Sequence, residues 1–227
     1  MKYILRPFFR LLYHQFAFLY DFVAAAVSFN RWRDWVRSVV PFIHGNRILE
    51  IGHGPGHLQR ILLDGNLIAV GIDESAQMGR LSKQNLRRRL DSRAHIRSEA
   101  QSTSSVAYDI YTKINLTRGI AQYLPFPNQS FDTIIATFPT LYISDPRTLA
   151  EIKRCLLDDG RLIVLPVALP KNYFVDWLFK ITHQSPTETV DVVKSRLEEP
   201  FVAAGFQTEI KTLDVKSGIL LIVFARK

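Results

Sequence analysis

The stretch Arg47-Ile-Leu-Glu-Ile-Gly-His-Gly-Pro-Gly-His-Leu58 constrains this chain more than any other. Ile48, Leu49 and Ile51 make an apolar run of strand type, while Leu58, Ile61, Leu62 and Leu63 recur with the spacing of a helix face. Gly52, Gly54 and Gly56 lie between the two. A backbone that turns sharply out of a buried strand and lets a ligand come close needs residues without a Cβ. The segment therefore reads as a nucleotide-type loop between a strand and a helix.

The third glycine separates the ligand classes that use such loops. A dinucleotide-binding fingerprint, G-x-G-x-x-G, sets its last glycine against the helix and its helix N-terminus against a pyrophosphate. Here the third glycine is Gly56, and the position that fingerprint requires is His57. An acid should follow at the end of the next strand, about twenty residues on, where it can accept hydrogen bonds from ribose hydroxyls. Leu67-Ile-Ala-Val-Gly-Ile-Asp73 supplies it, and Glu74-Ser-Ala-Gln then opens a helix.

The spacing Glu50-x-Gly52-x-Gly54-x-Gly56 resembles motif I of class I S-adenosylmethionine (SAM) dependent methyltransferases. The resemblance extends over most of the chain. Leu124-Pro-Phe-Pro-Asn-Gln-Ser-Phe-Asp132 is similar to the LPFPDxSFD stretch of that family, with Thr133 to Thr137 after it as a fourth strand. A helix is expected over 149–157, closed by Asp158-Asp-Gly160, with a fifth strand at Arg161 to Leu165. Gly205-Phe206 and Leu220 to Phe224 fit a closing antiparallel pair. The resemblance implies an α/β fold: a Rossmann-like seven-stranded sheet, mostly parallel with an antiparallel last strand, helices on both faces, and a helical cap over 1–42 ahead of a SAM-binding domain over 43–227.

It also implies the cofactor, SAM, and its contacts. Glu50, Gly52, His53, Gly54 and Gly56 would pass under the methionine part, Asp73 and Glu74 would meet the ribose, and Thr137 closes strand four at the ligand edge. Relatives often carry Gly-Asp-Ala shortly before LPFP, with the Asp near the adenine. Here Gly119-Ile120-Ala121-Gln122 stands instead, so adenine recognition falls to the backbone at Ala121 and Gln122.

Methyl transfer from a sulfonium is an in-line displacement; alignment and a dry site supply much of the rate enhancement. A base is needed only where the acceptor must lose a proton. The sequence does not single one out: Tyr142 and His183, and Tyr20 and Asp21 of the cap, are the candidates, each taken alone reading more readily as a structural residue, a tyrosine anchored by its hydroxyl or a histidine on a surface loop. His53 and His57 have a spacing of four, but no third metal ligand accompanies them, so no metal site is expected. Cys155, the lone cysteine, lies on an apolar helix and reads as packing.

The net charge of +8 favours an anionic partner without choosing among nucleic acid, an acidic lipid surface and an acidic small molecule. Much of the excess falls in Arg80, Lys83, Arg87, Arg88, Arg89, Arg93 and Arg97, on a helical stretch that reads as a solvated face. Leu11 to Phe29 is interrupted by His14, Gln15 and Asp21, so neither a membrane span nor a secretory signal is expected. A cytoplasmic protein is expected, with peripheral contact at the inner membrane face as an option. The apolar face of Phe8, Leu11, Leu12, Phe16, Leu19, Val23 and Val27, followed by Asn30-Arg-Trp-Arg-Asp-Trp-Val36, reads as a cap packed on the domain or lying in a membrane interface. Phe174, Trp177, Leu178 and Ile181 share a helical face and suggest a lid.

Thr137-Phe-Pro-Thr140 lacks the Asn/Asp-Pro-Pro-aromatic motif of the enzymes that methylate adenine or glutamine nitrogen, which weighs against a nucleic-acid substrate. The similarity is greatest to the group that includes the ubiquinone/menaquinone biosynthesis methyltransferases. A SAM-dependent methyltransferase acting on a small or lipid-like apolar acceptor is the leading reading. The alternatives are an RNA methyltransferase gripping phosphates with Arg80 to Arg97 and a non-catalytic SAM-binding assembly factor; a nicotinamide dehydrogenase ranks behind both. Oligomeric state is not legible.

Overall fold

The computed structural model describes residues 32–65, 67, 69–98, 114–170 and 186–227. Seven strands form one sheet in the order β3-β2-β1-β4-β5-β7-β6. They are β1 (Ile48–Ile51), β2 (Ala69–Asp73), β3 (Asn115–Arg118), β4 (Phe131–Thr137), β5 (Leu156–Pro170), β6 (Gln207–Val215) and β7 (Gly218–Arg226). β1 pairs in parallel with β2 and β4, as do β3 with β2 and β5 with β4; β7 runs antiparallel to both β5 and β6. This is the expected Rossmann-like sheet, and the strand order reverses beside β1.

Five helices are described: α1 (Trp32–Arg37), α2 (His57–Asp64), α3 (Ala76–Ser98), α4 (Pro146–Cys155) and α5 (Pro186–Ala203). Alternate residues of the central strands feed two cores. Ile48, Ile135, Ile163 and Leu165 bury against Trp35 and Val36 of α1 and Leu58 and Leu62 of α2. Leu49, Ile51, Ile134, Leu162 and Val164 bury on the opposite face, against Leu149, Ile152 and Cys155 of α4 and Phe201 of α5. Leu86 and Leu90 of α3 join α2 through Leu63, so α1, α2 and α3 cover one face and α4 and α5 the other.

The expected helix over 149–157 is displaced toward the N-terminus. Asp145 caps α4, its carboxylate accepting from the Arg147 N–H, and Pro146 takes the first helical position, where its missing N–H costs nothing. The helix ends at Cys155, and β5 already begins at Leu156. Phe131 pairs with Leu156 and Thr133 with Arg161, so the Asp158-Asp-Gly160 segment is an irregularity inside β5 rather than a helix stop. At its other end β5 continues to Pro170, paired with β7. Of the cap expected over 1–42, only α1 and the short 3-10 turn Val40–Phe42 fall among the described residues. The apolar face from Phe8 to Val27 and the lid residues Phe174 to Ile181 lie outside them.

Candidate active site

The carboxyl ends of β1, β2 and β4 meet at the loop that carries the three glycines. Gly52, Gly54 and Gly56 all have positive φ, at 72°, 51° and 84°. Their surroundings differ. A Cβ on Gly52 would collide with the Tyr142 hydroxyl, and one on Gly56 with the Ser82 hydroxyl of α3. A Cβ on Gly54 would meet nothing within 4 Å. Gly52 and Gly56 are therefore closed against protein, and Gly54 is the glycine that opens outward.

Asp73, at the end of β2, holds this opening. Its Oδ2 accepts from the Gly54 N–H at 2.8 Å and its Oδ1 from the Ser75 N–H at 2.8 Å. A carboxylate has about four acceptor positions, so each oxygen keeps capacity for a ligand hydroxyl. Glu74 is exposed, and its backbone carbonyl accepts from Arg118 Nε.

Glu50 is buried in β1 and accepts a hydrogen bond from Gln59 Nε2 at 2.9 Å. Burial pushes its carboxyl up to about 8; the Gln59 bond opposes this and the nearby Asp73 charge adds to it. At neutral pH the site thus keeps one acid protonated beside one that is hydrogen-bonded by backbone. His53 is also buried: its Nδ1–H donates to the Gly54 carbonyl at 2.8 Å, and its Nε2 is enclosed without a partner. The absence of a side chain at Gly71 of β2 makes room for both His53 and Gln59. His57 is the first residue of α2; burial, reinforced by the Arg60 and Arg33 charges, lowers its pKa.

Tyr142 lies in the 3-10 turn Leu141–Ser144 after β4 and donates its hydroxyl to the Ile51 carbonyl at 3.1 Å. Burial, with Glu50 and Asp73 adding, raises its pKa further above the phenol range. In this arrangement Tyr142 is a donor that anchors the loop. Thr137 ends β4, half-buried, and Phe138 after it takes a positive φ of 49° with its N–H on the Leu165 carbonyl at 2.7 Å. The Phe138 ring packs on Trp32 of α1, with centroids 3.9 Å apart. Ala121 is buried in the turn after β3, while the Gln122 side chain is drawn to Asp145 at 3.2 Å. His183, Tyr20 and Asp21 lie outside the described residues.

Three supporting residues were not read from the sequence. Gln59 is a polar residue on the apolar face of α2, which is a usable signal for a buried acid nearby. Ser82 and Asn85 brace the loop from α3, Asn85 through a bond to the Pro55 carbonyl at 3.1 Å. Nothing in a solvated-looking, arginine-rich helix distinguishes them.

A family model described as "Methyltransferase domain" matches residues 49–164, from β1 through β5. The chain belongs to this methyltransferase family. It is a class I SAM-dependent methyltransferase. It is 29% identical over 198 residues to a demethylmenaquinone methyltransferase of Symbiobacterium thermophilum, covering 82% of this chain and 70% of that one. It is 24% identical over 159 residues to a ubiquinone/menaquinone biosynthesis C-methyltransferase of Geotalea uraniireducens, covering 67% of this chain and 60% of the other. The fold matches the crystal structure of a SAM-dependent methyltransferase from Aquifex aeolicus with a TM-score of 0.57 at 14% identity, over 85% and 88% of the two chains.

The residues of this methyltransferase fit its cofactor. The space above Gly54, the spare acceptor capacity of Asp73 and the buried acid Glu50 together suit a ligand with a flexible chain, a ribose and positive charge. When bound, SAM would supply an activated methyl on a sulfonium, with the Gly54 loop, Asp73 and Glu50 to hold it.

Proposed function

We propose that this methyltransferase methylates a ring carbon of a lipid-like quinol. The observation that carries the reading is the similarity over 82% of the chain to a demethylmenaquinone methyltransferase, which extends beyond the domain core. Two local features support it. Phe138, at the end of β4, is packed on Trp32 rather than free to stack on a flipped base. Among the described residues, large apolar side chains stand exposed where the chain leaves β3 and β4, at the ligand edge.

The chemistry is balanced simply. A quinol hydroxyl that loses its proton to a base or solvent would push electron density into the ring. The ring carbon would take the methyl as the methyl's bond to the sulfonium sulfur breaks, the electron pair leaving with sulfur as a neutral thioether. Loss of the ring proton would restore the aromatic ring, and the oxygen would be reprotonated. Asp73, Glu50 and the loop backbone hold the donor; Tyr142 keeps Ile51 and Gly52 in place. Of the candidate bases, Tyr142 has its proton committed to a carbonyl, which leaves His183, Tyr20 and Asp21 for mutagenesis.

The test is transfer of labelled methyl from SAM to short-chain naphthoquinols and benzoquinols in detergent, with the product located by mass spectrometry. A ring-methylated quinol supports the proposal. Label in RNA, or SAM binding with no transfer to any quinol, removes it.

A further inference from the structure

We infer that the carboxyl edge of the sheet, at its β3 corner, is a docking surface for a bilayer rich in anionic lipid headgroups. The inference rests on the proposed bilayer-dissolved acceptor and assigns the surface through which the protein reaches it. Three of the five large apolar residues exposed among the described ones cluster at this edge: Ile120 and Tyr123, 41% and 68% exposed, follow β3, and Leu141, 91% exposed, follows β4. The two segments are tied to each other by the Gln122–Asp145 hydrogen bond. An almost fully exposed leucine beside an exposed aromatic gains most by entering an apolar phase at its polar boundary.

Cations flank these side chains. Arg118 closes β3, with its Nε on the Glu74 carbonyl; Arg147 opens α4 and meets Asp145 at 3.6 Å; Arg80 lies in the second turn of α3, which starts at the same corner and packs on β2 and β3. The acids at this edge are Glu74, exposed, Asp145, already engaged by Gln122 and the Arg147 N–H, and Asp73, held by the loop. Behind the corner the two helical layers differ in charge. Among the described side chains, α1, α2 and α3 carry eight arginines and lysines against three aspartates, and α4 and α5 carry five against three glutamates. Among the described residues, Arg80, Lys83, Arg87 and Arg88 form no ion pair. Attraction to a negative leaflet is additive over such side chains within a Debye length of the surface.

RNA fits the same charge but not the rest of the surface. Tyr123 could stack a single base, but Leu141 and Ile120 offer nothing to a base or a phosphate, and α3, which carries the cations, has no Phe, Tyr or Trp beside them. A bilayer satisfies both the apolar tips and the cations. It also sets the opening above Gly54 toward the phase that holds a lipid-like acceptor.

The experiment is co-sedimentation of the full chain with acceptor-free vesicles of phosphatidylcholine, with and without phosphatidylglycerol, for the wild type, Leu141→Glu and Arg80→Glu. SAM affinity is measured in parallel by calorimetry. The wild type is expected to bind the anionic vesicles and to lose binding in high salt. Leu141→Glu should lower partitioning by roughly tenfold, the scale of losing one buried leucine, and Arg80→Glu should lower it on anionic vesicles alone, with SAM affinity unchanged in both. Wild-type protein left in the supernatant, both variants partitioning as the wild type, or binding to RNA that Leu141→Glu leaves intact would each overturn the inference. Because no acceptor is present, vesicle binding stands even if quinol methylation fails, and quinol methylation in detergent stands even if vesicle binding fails.

Discussion

The Oδ2 atom of Asp73 accepts a 2.8 Å hydrogen bond from the backbone N–H of Gly54, across nineteen positions of sequence. One carboxylate thereby shapes the glycine loop while keeping acceptor capacity for a ligand. Asp73→Ala removes both functions. SAM affinity should fall by roughly tenfold to a hundredfold, the scale of losing hydrogen bonds to a charged group. Calorimetry checks this, and an unchanged affinity would remove Asp73 from the site.

Gly52 and Gly54 should respond differently to alanine. At Gly52 the new methyl meets the Tyr142 hydroxyl in addition to the strain of a positive φ, so the protein should lose stability by about 1–3 kcal/mol. Adding Tyr142→Phe should restore part of that loss, a coupling that a double-mutant cycle in thermal melts measures directly. At Gly54 the methyl enters open space, so the melting temperature should shift less while SAM affinity falls.

Glu50 makes the site pH-sensitive. Its folded pKa, about 8, lies above the ordinary value of 4.5. Protonation therefore stabilises the folded state: the contribution is complete below about 4.5 and is lost as pH rises through about 8. Glu50→Gln, which keeps a partner for Gln59, should melt higher than the wild type at pH 9 and gain nothing near pH 4.5. Because SAM is cationic, it favours the ionised Glu50. Wild-type affinity should thus rise between pH 6.5 and 9, and Glu50→Gln should show a flatter profile.

Asp132, the last residue of the LPFP-type segment, acts on the turn before β1. It accepts from the Asn46 and Arg47 N–H groups and pairs with the Arg47 guanidinium at 2.9 Å, which fixes the turn before β1. The Arg47 side chain and those two N–H groups hold its carboxyl below the usual range. That stabilisation is present above about pH 4 and lost as pH falls further. Asp132→Ala should lower stability by about 1–2 kcal/mol at neutral pH with little change in SAM affinity. Denaturant melts and calorimetry on the same sample separate the two effects.

The sequence by itself determined the parts of this protein that are local. Three glycines between an apolar strand and an amphipathic helix, an acid one strand later and an antiparallel close define the sheet and the glycine loop, because period, turn chemistry and spacing are properties of adjacent residues. Only the tertiary structure decided what each loop residue faces. Gly52 is closed by Tyr142 and Gly56 by Ser82, leaving Gly54 open, and no pattern in the chain ranks the three. The limits of α4 moved for a similar reason: apolar periodicity over 149–157 continues into the next strand, and the Asp145 cap and the pairing of Leu156 with Phe131 determine where the helix begins and ends. Asp132 and Arg47 are 85 positions apart, and Tyr142 and Ile51 are 91 apart. Such contacts arise when parallel strands from distant parts of the chain are laid side by side, and they have no signature in either stretch alone.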